Sequence, residues 1–400
     1  MNARERVMAA AAFGAVDRVP YDFFDEAGDL FTEGRYHPAL RLGLSYAEQI
    51  DARVRWHRRF GTDLIFDAPV LVPPKGGYEA RLTHDGREIE AQEPVYSSVF
   101  GLVWHPMPPK VQGPGLLPSG TAGAVHKQVI WADGTRTVEA IDLATGTTDV
   151  AEPAFSGDLN GLLAHIQCAE GDWERAEWSH LARMRDHVGP DVMLSGSPLD
   201  PFSTIGHYVG IENLMMLLLD EPDGVHEACD AFAGFGVRAC EEMLAHGIDM
   251  IRLCAATACM LSPDMYRTFA FPYQKRMIEA VQARGGITHL HLCGNVRHLL
   301  DVVPDTGAPM LETITPPPLG DTTLVQAREA VGSRMALKGN MSPTGTLQSG
   351  TPEQAMDEAR SILADMGGPR ASGFLFSVAD CMAPATPEAN VQAVAEVLSG

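Results

Sequence analysis

Eight short runs rich in β-branched and apolar residues, at 19–24, 63–68, 192–196, 249–254, 287–293, 310–314, 335–338 and 374–378, constrain the fold of this chain most strongly. Each ends in a polar or Gly/Pro turn. Most are separated by helical periodicity, at 211–219, 224–245, 263–283, 322–331 and 352–366. Strands that alternate with helices make a parallel sheet with helices packed on it. Eight such units in 400 residues favour closure into a (β/α)8 TIM barrel over an open doubly wound sheet. One catalytic barrel domain over 1–400 is the expectation.

Residues 72–150 break this rhythm. Two Asp-Gly turns, Asp85-Gly86 and Asp133-Gly134, lie between strand-like runs and predict β-hairpins inserted after the second barrel strand. The Gly/Pro-rich stretch 113–124 reads as a loop inside that insertion. Such an appendage either shapes the barrel mouth or stabilises the chain or a homo-oligomer. At the N-terminus, Glu5 and Arg6 interrupt a short apolar run, so it reads as an amphipathic helix capped by Asn2 rather than a signal peptide. No window approaches the roughly 18 apolar residues of a membrane span, and a cytoplasmic protein is expected. A formal net charge of −22 opposes partnership with nucleic acid, anionic membranes or strongly anionic substrates.

Seven cysteines spread over this length do not form a secreted disulfide framework, so each is a buried thiol, a ligand or a nucleophile. Cys168, Cys229 and Cys240 lie in helical contexts and read as small buried hydrophobes. His289, His291 and Cys293 alternate with leucines and so share one strand face, the barrel interior. Cys293 ends its strand at the C-terminal mouth, where barrel enzymes place their chemistry. Cys381 follows the eighth strand, and Glu312 ends the sixth.

An imidazole with two thiolates suits Zn²⁺, and a carboxylate completes four positions, so His291, Cys293, Cys381 and Glu312 are the candidate metal and catalytic residues. Core packing is the alternative for a His-x-Cys pair taken alone. His289 sits one layer deeper and reads as a hydrogen-bonded core residue. Cys254 and Cys259 flank the fourth strand's end and line the cavity. Asn340, at the end of the seventh strand, either caps the next turn or contacts substrate.

From Asp17-Arg18-Val19-Pro20 to Thr386-Pro387-Glu388-Ala389-Asn390, apart from the insertion, the chain resembles the uroporphyrinogen decarboxylase superfamily. That resemblance implies a TIM barrel, in agreement with the strand count. Decarboxylases of this superfamily carry an Arg-Gln-Ala-Gly-Arg segment after the first strand, whereas this chain has Asp25, Glu26, Ala27, Gly28 and Asp29 there. Acids in both arginine positions repel a polycarboxylate substrate. Asp25 instead becomes a candidate substrate contact. Where decarboxylases have Gly-His-Gly, this chain has Ala379, Asp380 and Cys381.

His291, Cys293 and the distant Cys381 look like the pattern of the superfamily's zinc-dependent, cobalamin-linked methyltransferases, which include methylcobalamin:coenzyme M and O-demethylation enzymes. The resemblance implies methyl transfer between cobalamin, carried on a separate corrinoid protein, and a thiol or a methylated small molecule such as a methoxy compound. A uroporphyrinogen decarboxylase and a non-catalytic barrel that binds metal or a corrinoid protein are the competing readings.

Overall fold

In the computed structural model, residues 1–23, 46–65, 78–89, 96–98, 104–106, 122–131, 133–143, 148–169, 172–383 and 386–400 are described. Strands β1 (Leu64–Ile65), β9 (Met193–Gly196), β10 (Met250–Cys254), β11 (Ile287–Leu292), β12 (Met310–Thr313), β13 (Ala336–Met341) and β14 (Phe374–Val378) pair side by side in that order, all parallel. Segment 19–23 closes the ring. Tyr21 bridges Phe376 of β14, and the Asp63 amide, just before β1, donates to the Tyr21 carbonyl at 2.8 Å. The fold is therefore the expected TIM barrel, and every strand run read from the sequence has its place in it.

Interior side chains are stacked in layers, because alternate residues of each strand face inward. Leu64, Met193, Met250, Ile287, Met310, Ala336 and Leu375 pack together on Val7, so the helix Ala3–Ala11 seals this apolar floor. The helix begins where expected: the Asn2 side chain accepts from the Glu5 amide and the Glu5 carboxylate accepts from the Asn2 amide. Two residues further along β9 to β14 the interior changes character, to Ser195, Arg252, His289, Glu312, Lys338 and Ser377, which are buried together with Asp22 of segment 19–23.

Two departures from the sequence reading have a local cause. The helix expected over 263–283 is split into Pro263–Phe269 and Phe271–Ala283, since Pro272 has no N–H to donate and its ring crowds the preceding turn. The seventh strand runs three residues past 338, because Asn340 and Met341 still pair with Ser377 and Val378. A side chain at Gly339 would bring its Cβ within 2.2 Å of the Thr313 carbonyl oxygen, so glycine there lets β13 close on β12.

After β1 comes the β-rich insertion. It contains β2 (Tyr78–His84), β3 (Arg87–Ile89), β6 (Ala124–Trp131), β7 (Arg136–Asp142) and β8 (Thr148–Glu152) in one antiparallel sheet of order β3-β2-β6-β7-β8, and β4 (Tyr96–Ser98) paired with β5 (Trp104–Pro106). Asp85 and Gly86, at φ 49° and 70°, form the two-residue turn joining β2 to β3. Most of the 113–124 stretch read as a loop lies outside the described residues. Val129 and Trp131 join the same apolar core as Leu159, Leu162 and Tyr208, which anchors the sheet to the barrel's helices.

Candidate functional site

Charged residues in buried strands are costly unless paired, so the layer above the barrel floor marks the site. Glu312 is its centre, the register partner of His291 on one side and of Lys338 on the other. Its Oε1 accepts from the Lys338 ammonium, which also reaches Asp22 Oδ2 at 3.0 Å, and lies 3.4 Å from His289 Nδ1. Its Oε2 accepts from Arg252 Nε at 2.8 Å and lies 3.0 Å from His291 Nδ1. Arg252 Nη2 is itself 2.8 Å from His291 Nδ1, and Nη1 donates to Ser197 Oγ at 2.8 Å. A guanidinium can only donate, so His291 Nδ1 accepts from it and the ring proton belongs on Nε2.

These contacts set the charges. Burial alone would raise the Glu312 carboxyl, but Lys338, His289 and Arg252 hold it well below the usual carboxylate range. Burial pushes His289 down to about 4 and lowers His291, to whose shift the Arg252 charge adds. Both imidazoles are therefore neutral near pH 7, the form in which histidine ligates metals. Asp22 is raised by burial, with Lys338 only partly offsetting this.

His291 and Glu312 come together, but the thiols do not close around them. Cys293 follows β11 directly and is half-buried; Cys381, three residues past β14, is exposed. Among the described residues, no three His, Cys, Asp or Glu side chains converge closely enough to hold a metal ion. The thiols are nonetheless electrostatic neighbours of this centre: burial raises Cys293, with Asp380, Cys254 and Cys259 adding, and the Arg252 charge responds to Cys254 and Cys381. Imidazole, carboxylate and thiol are together the donor types that suit a borderline-soft divalent metal.

Asn340 Nδ2 donates to the Ile314 carbonyl at 3.1 Å, holding two mouth segments together. Cys254, half-buried at the end of β10, is the register partner of His291; Cys259 is also half-buried. Cys229 and Cys240 are buried. Asp25 lies outside the described residues. Sequence reasoning passed over Arg252, Lys338 and Asp22. Their signal was present, because each is a charge inside an apolar strand run, in phase with the inward-facing residues.

Comparison with known proteins agrees with this architecture. Residues 179–399 match the uroporphyrinogen decarboxylase (URO-D) family. The methylcobamide:CoM methyltransferase MtbA of Methanosarcina mazei is 27% identical over 218 residues, 53% of this chain and 60% of that protein. A methylated-thiol–coenzyme M methyltransferase of the same organism is 27% identical over 177 residues, 43% of this chain and 46% of its own length. The uroporphyrinogen decarboxylase of Chlorobaculum parvum is 29% identical over 187 residues, 46% of this chain and 51% of that enzyme. These alignments thus span roughly half to three-fifths of the relatives' lengths. In three dimensions a methyltransferase from Methanosarcina mazei superposes with a TM-score of 0.68 at 18% identity, covering 100% of this chain and 98% of its own, a likeness of fold.

Proposed function

This chain belongs to the uroporphyrinogen decarboxylase family, and from that premise we propose that it is a zinc-dependent methyltransferase acting between a corrinoid carrier and a small molecule. His291, Cys293, Cys381 and Glu312 hold the zinc in this reading. The observation that carries it is the close approach of His291 Nδ1 and Glu312 Oε2 at 3.0 Å, with thiols on the segments that follow β11 and β14. The methylcobamide:CoM methyltransferase among the relatives supports the corrinoid link.

Zinc bound there supplies Lewis acidity, which makes a thiol acidic enough to attack as thiolate, or polarises the heteroatom of a methylated substrate. The chain's own residues do the positioning. Lys338 holds Glu312 Oε1, which leaves Oε2 as the oxygen turned to the centre. Of the four, Glu312 would hold the metal least firmly, since a hard carboxylate oxygen suits a borderline-soft ion less well than either sulfur. The apolar floor under Val7 seals the site from below, so substrate and carrier both approach from the mouth. A separate corrinoid protein is the partner proposed. Among the described residues no helix is long and apolar enough to cross a membrane.

The test combines metal analysis with an anaerobic absorbance assay in which methylcob(III)alamin is converted to cob(I)alamin in the presence of candidate thiols. One zinc per chain and turnover are expected. Cys293→Ala and Cys381→Ala should each lose most of the metal and at least about 100-fold in rate while staying folded. Full zinc occupancy in both variants would remove these ligands from the site. Coproporphyrinogen formation from uroporphyrinogen would favour the decarboxylase instead.

A further inference from the structure

His291 Nδ1 and Glu312 Oε2 lie 3.0 Å apart, and with Nδ1 accepting from the Arg252 guanidinium neither has a proton to donate to the other. The nitrogen accepts from Arg252 Nη2 at 2.8 Å, and the oxygen accepts from Arg252 Nε at 2.8 Å. Two acceptors so close repel unless one cation takes both lone pairs, and the Arg252 guanidinium is that cation. Two donors of a tetrahedral zinc, bonded at about 2.0–2.2 Å, stand roughly 3.3 Å apart. The pair is thus spaced within a few tenths of an ångström of what the metal needs. The thiols of Cys254 and Cys381 act on this guanidinium only through their charge.

We propose that Arg252 occupies the metal position and competes with zinc for it. Metal entry requires the guanidinium to release His291 Nδ1 and Glu312 Oε2. Arg252 is in this respect a positioning residue, which keeps the two donors at ligating distance and keeps adventitious cations out. The proposal rests on the zinc reading given above. It further assigns Nδ1 as the ligating nitrogen of His291.

It is tested by zinc affinity, measured by competition with a chromogenic chelator on the intact chain. Arg252→Gln removes the competitor, and Arg252→Lys keeps its charge without the two-pronged grip. A charge-assisted hydrogen bond given up on metal entry is worth about tenfold in affinity or more. Arg252→Gln should therefore bind zinc about tenfold more tightly than wild type, with Arg252→Lys in between. As a second readout on the wild-type chain, zinc should shift the Arg252 Nε–Hε NMR signal, identified by its absence from Arg252→Lys. This measurement stands if the Gln variant fails to fold. Weaker or unchanged zinc binding in a folded Arg252→Gln, or an unmoved signal in zinc-loaded wild type, overturns the competition while leaving the zinc reading intact. Failure of wild type and Arg252→Gln alike to bind zinc overturns both.

Discussion

In the inserted sheet, Lys127 and Glu139 face each other as register partners on β6 and β7 and form a buried ion pair, with His207 at 3.3 Å as a second partner. In the barrel, Glu312 is approached by Lys338, Arg252, His289 and His291 from three strands, and Lys338 is shared with Asp22. The first group is closed: one anion, one cation and a histidine that can donate. The second brings two acceptors together and depends on a cation to hold them. A closed pair serves to fix a fold, while a layer with competing partners can exchange one of them, as a binding site must.

The sharpest contrast comes from removing one cation from each group. Lys338→Met leaves Glu312 and Asp22 buried without their shared cation and should destabilise the chain by about 3–5 kcal/mol, whereas Lys127→Met leaves His207 to serve Glu139 and should cost about 1–3 kcal/mol. Urea unfolding reads both. Restoring neutrality separates structure from function: Lys127→Met with Glu139→Leu should regain most of the stability and retain methyl transfer, while Lys338→Met with Glu312→Leu should remain inactive however stable it is. Equal activity in the two double variants would erase the distinction drawn between the groups.

Acid should expose the insertion pair next. Burial would raise the Glu139 carboxyl, but Lys127 and His207 hold it down to about 2, against roughly 4.3 unfolded. A depressed acid contributes its stability in full above the unfolded value and loses it as pH falls towards the folded one. The contribution, of the order of 3 kcal/mol, should therefore disappear between about pH 5 and 2. Wild type should lose that much more than the Lys127→Met/Glu139→Leu chain over this window in urea midpoints. Parallel pH profiles would show that the pair is inert.

The smallest effect is expected where the insertion's turn meets the barrel. Asp133 Oδ2 lies 2.6 Å from His165 Nδ1, but Asp133 is partly exposed, so water screens the pair. Asp133→Asn should lower stability by no more than about 1 kcal/mol and leave turnover unchanged. A larger loss would make this contact, rather than the apolar seating of Trp131, the anchor of the sheet.

Eight strand runs, the two Asp-Gly turns, the Asn2 cap and the inward face shared by His289 and His291 were all legible in the sequence, because each follows from local periodicity or local hydrogen bonding among neighbours in the chain. The break at Pro272 was legible in kind but overlooked inside a long helical pattern. Arg252 and Lys338 were visible as inward-phased charges in apolar strands. Their partners were not, since a period of two tells which face a residue takes but not which strand lies opposite. Parallel register and closure of the ring bring Glu312 level with both His291 and Lys338, and carry Arg252 onto His291 and Glu312 together. That meeting of groups 39 and 60 residues apart along the chain was decided by tertiary structure alone, because buried charges are set by the partners that packing leaves within reach.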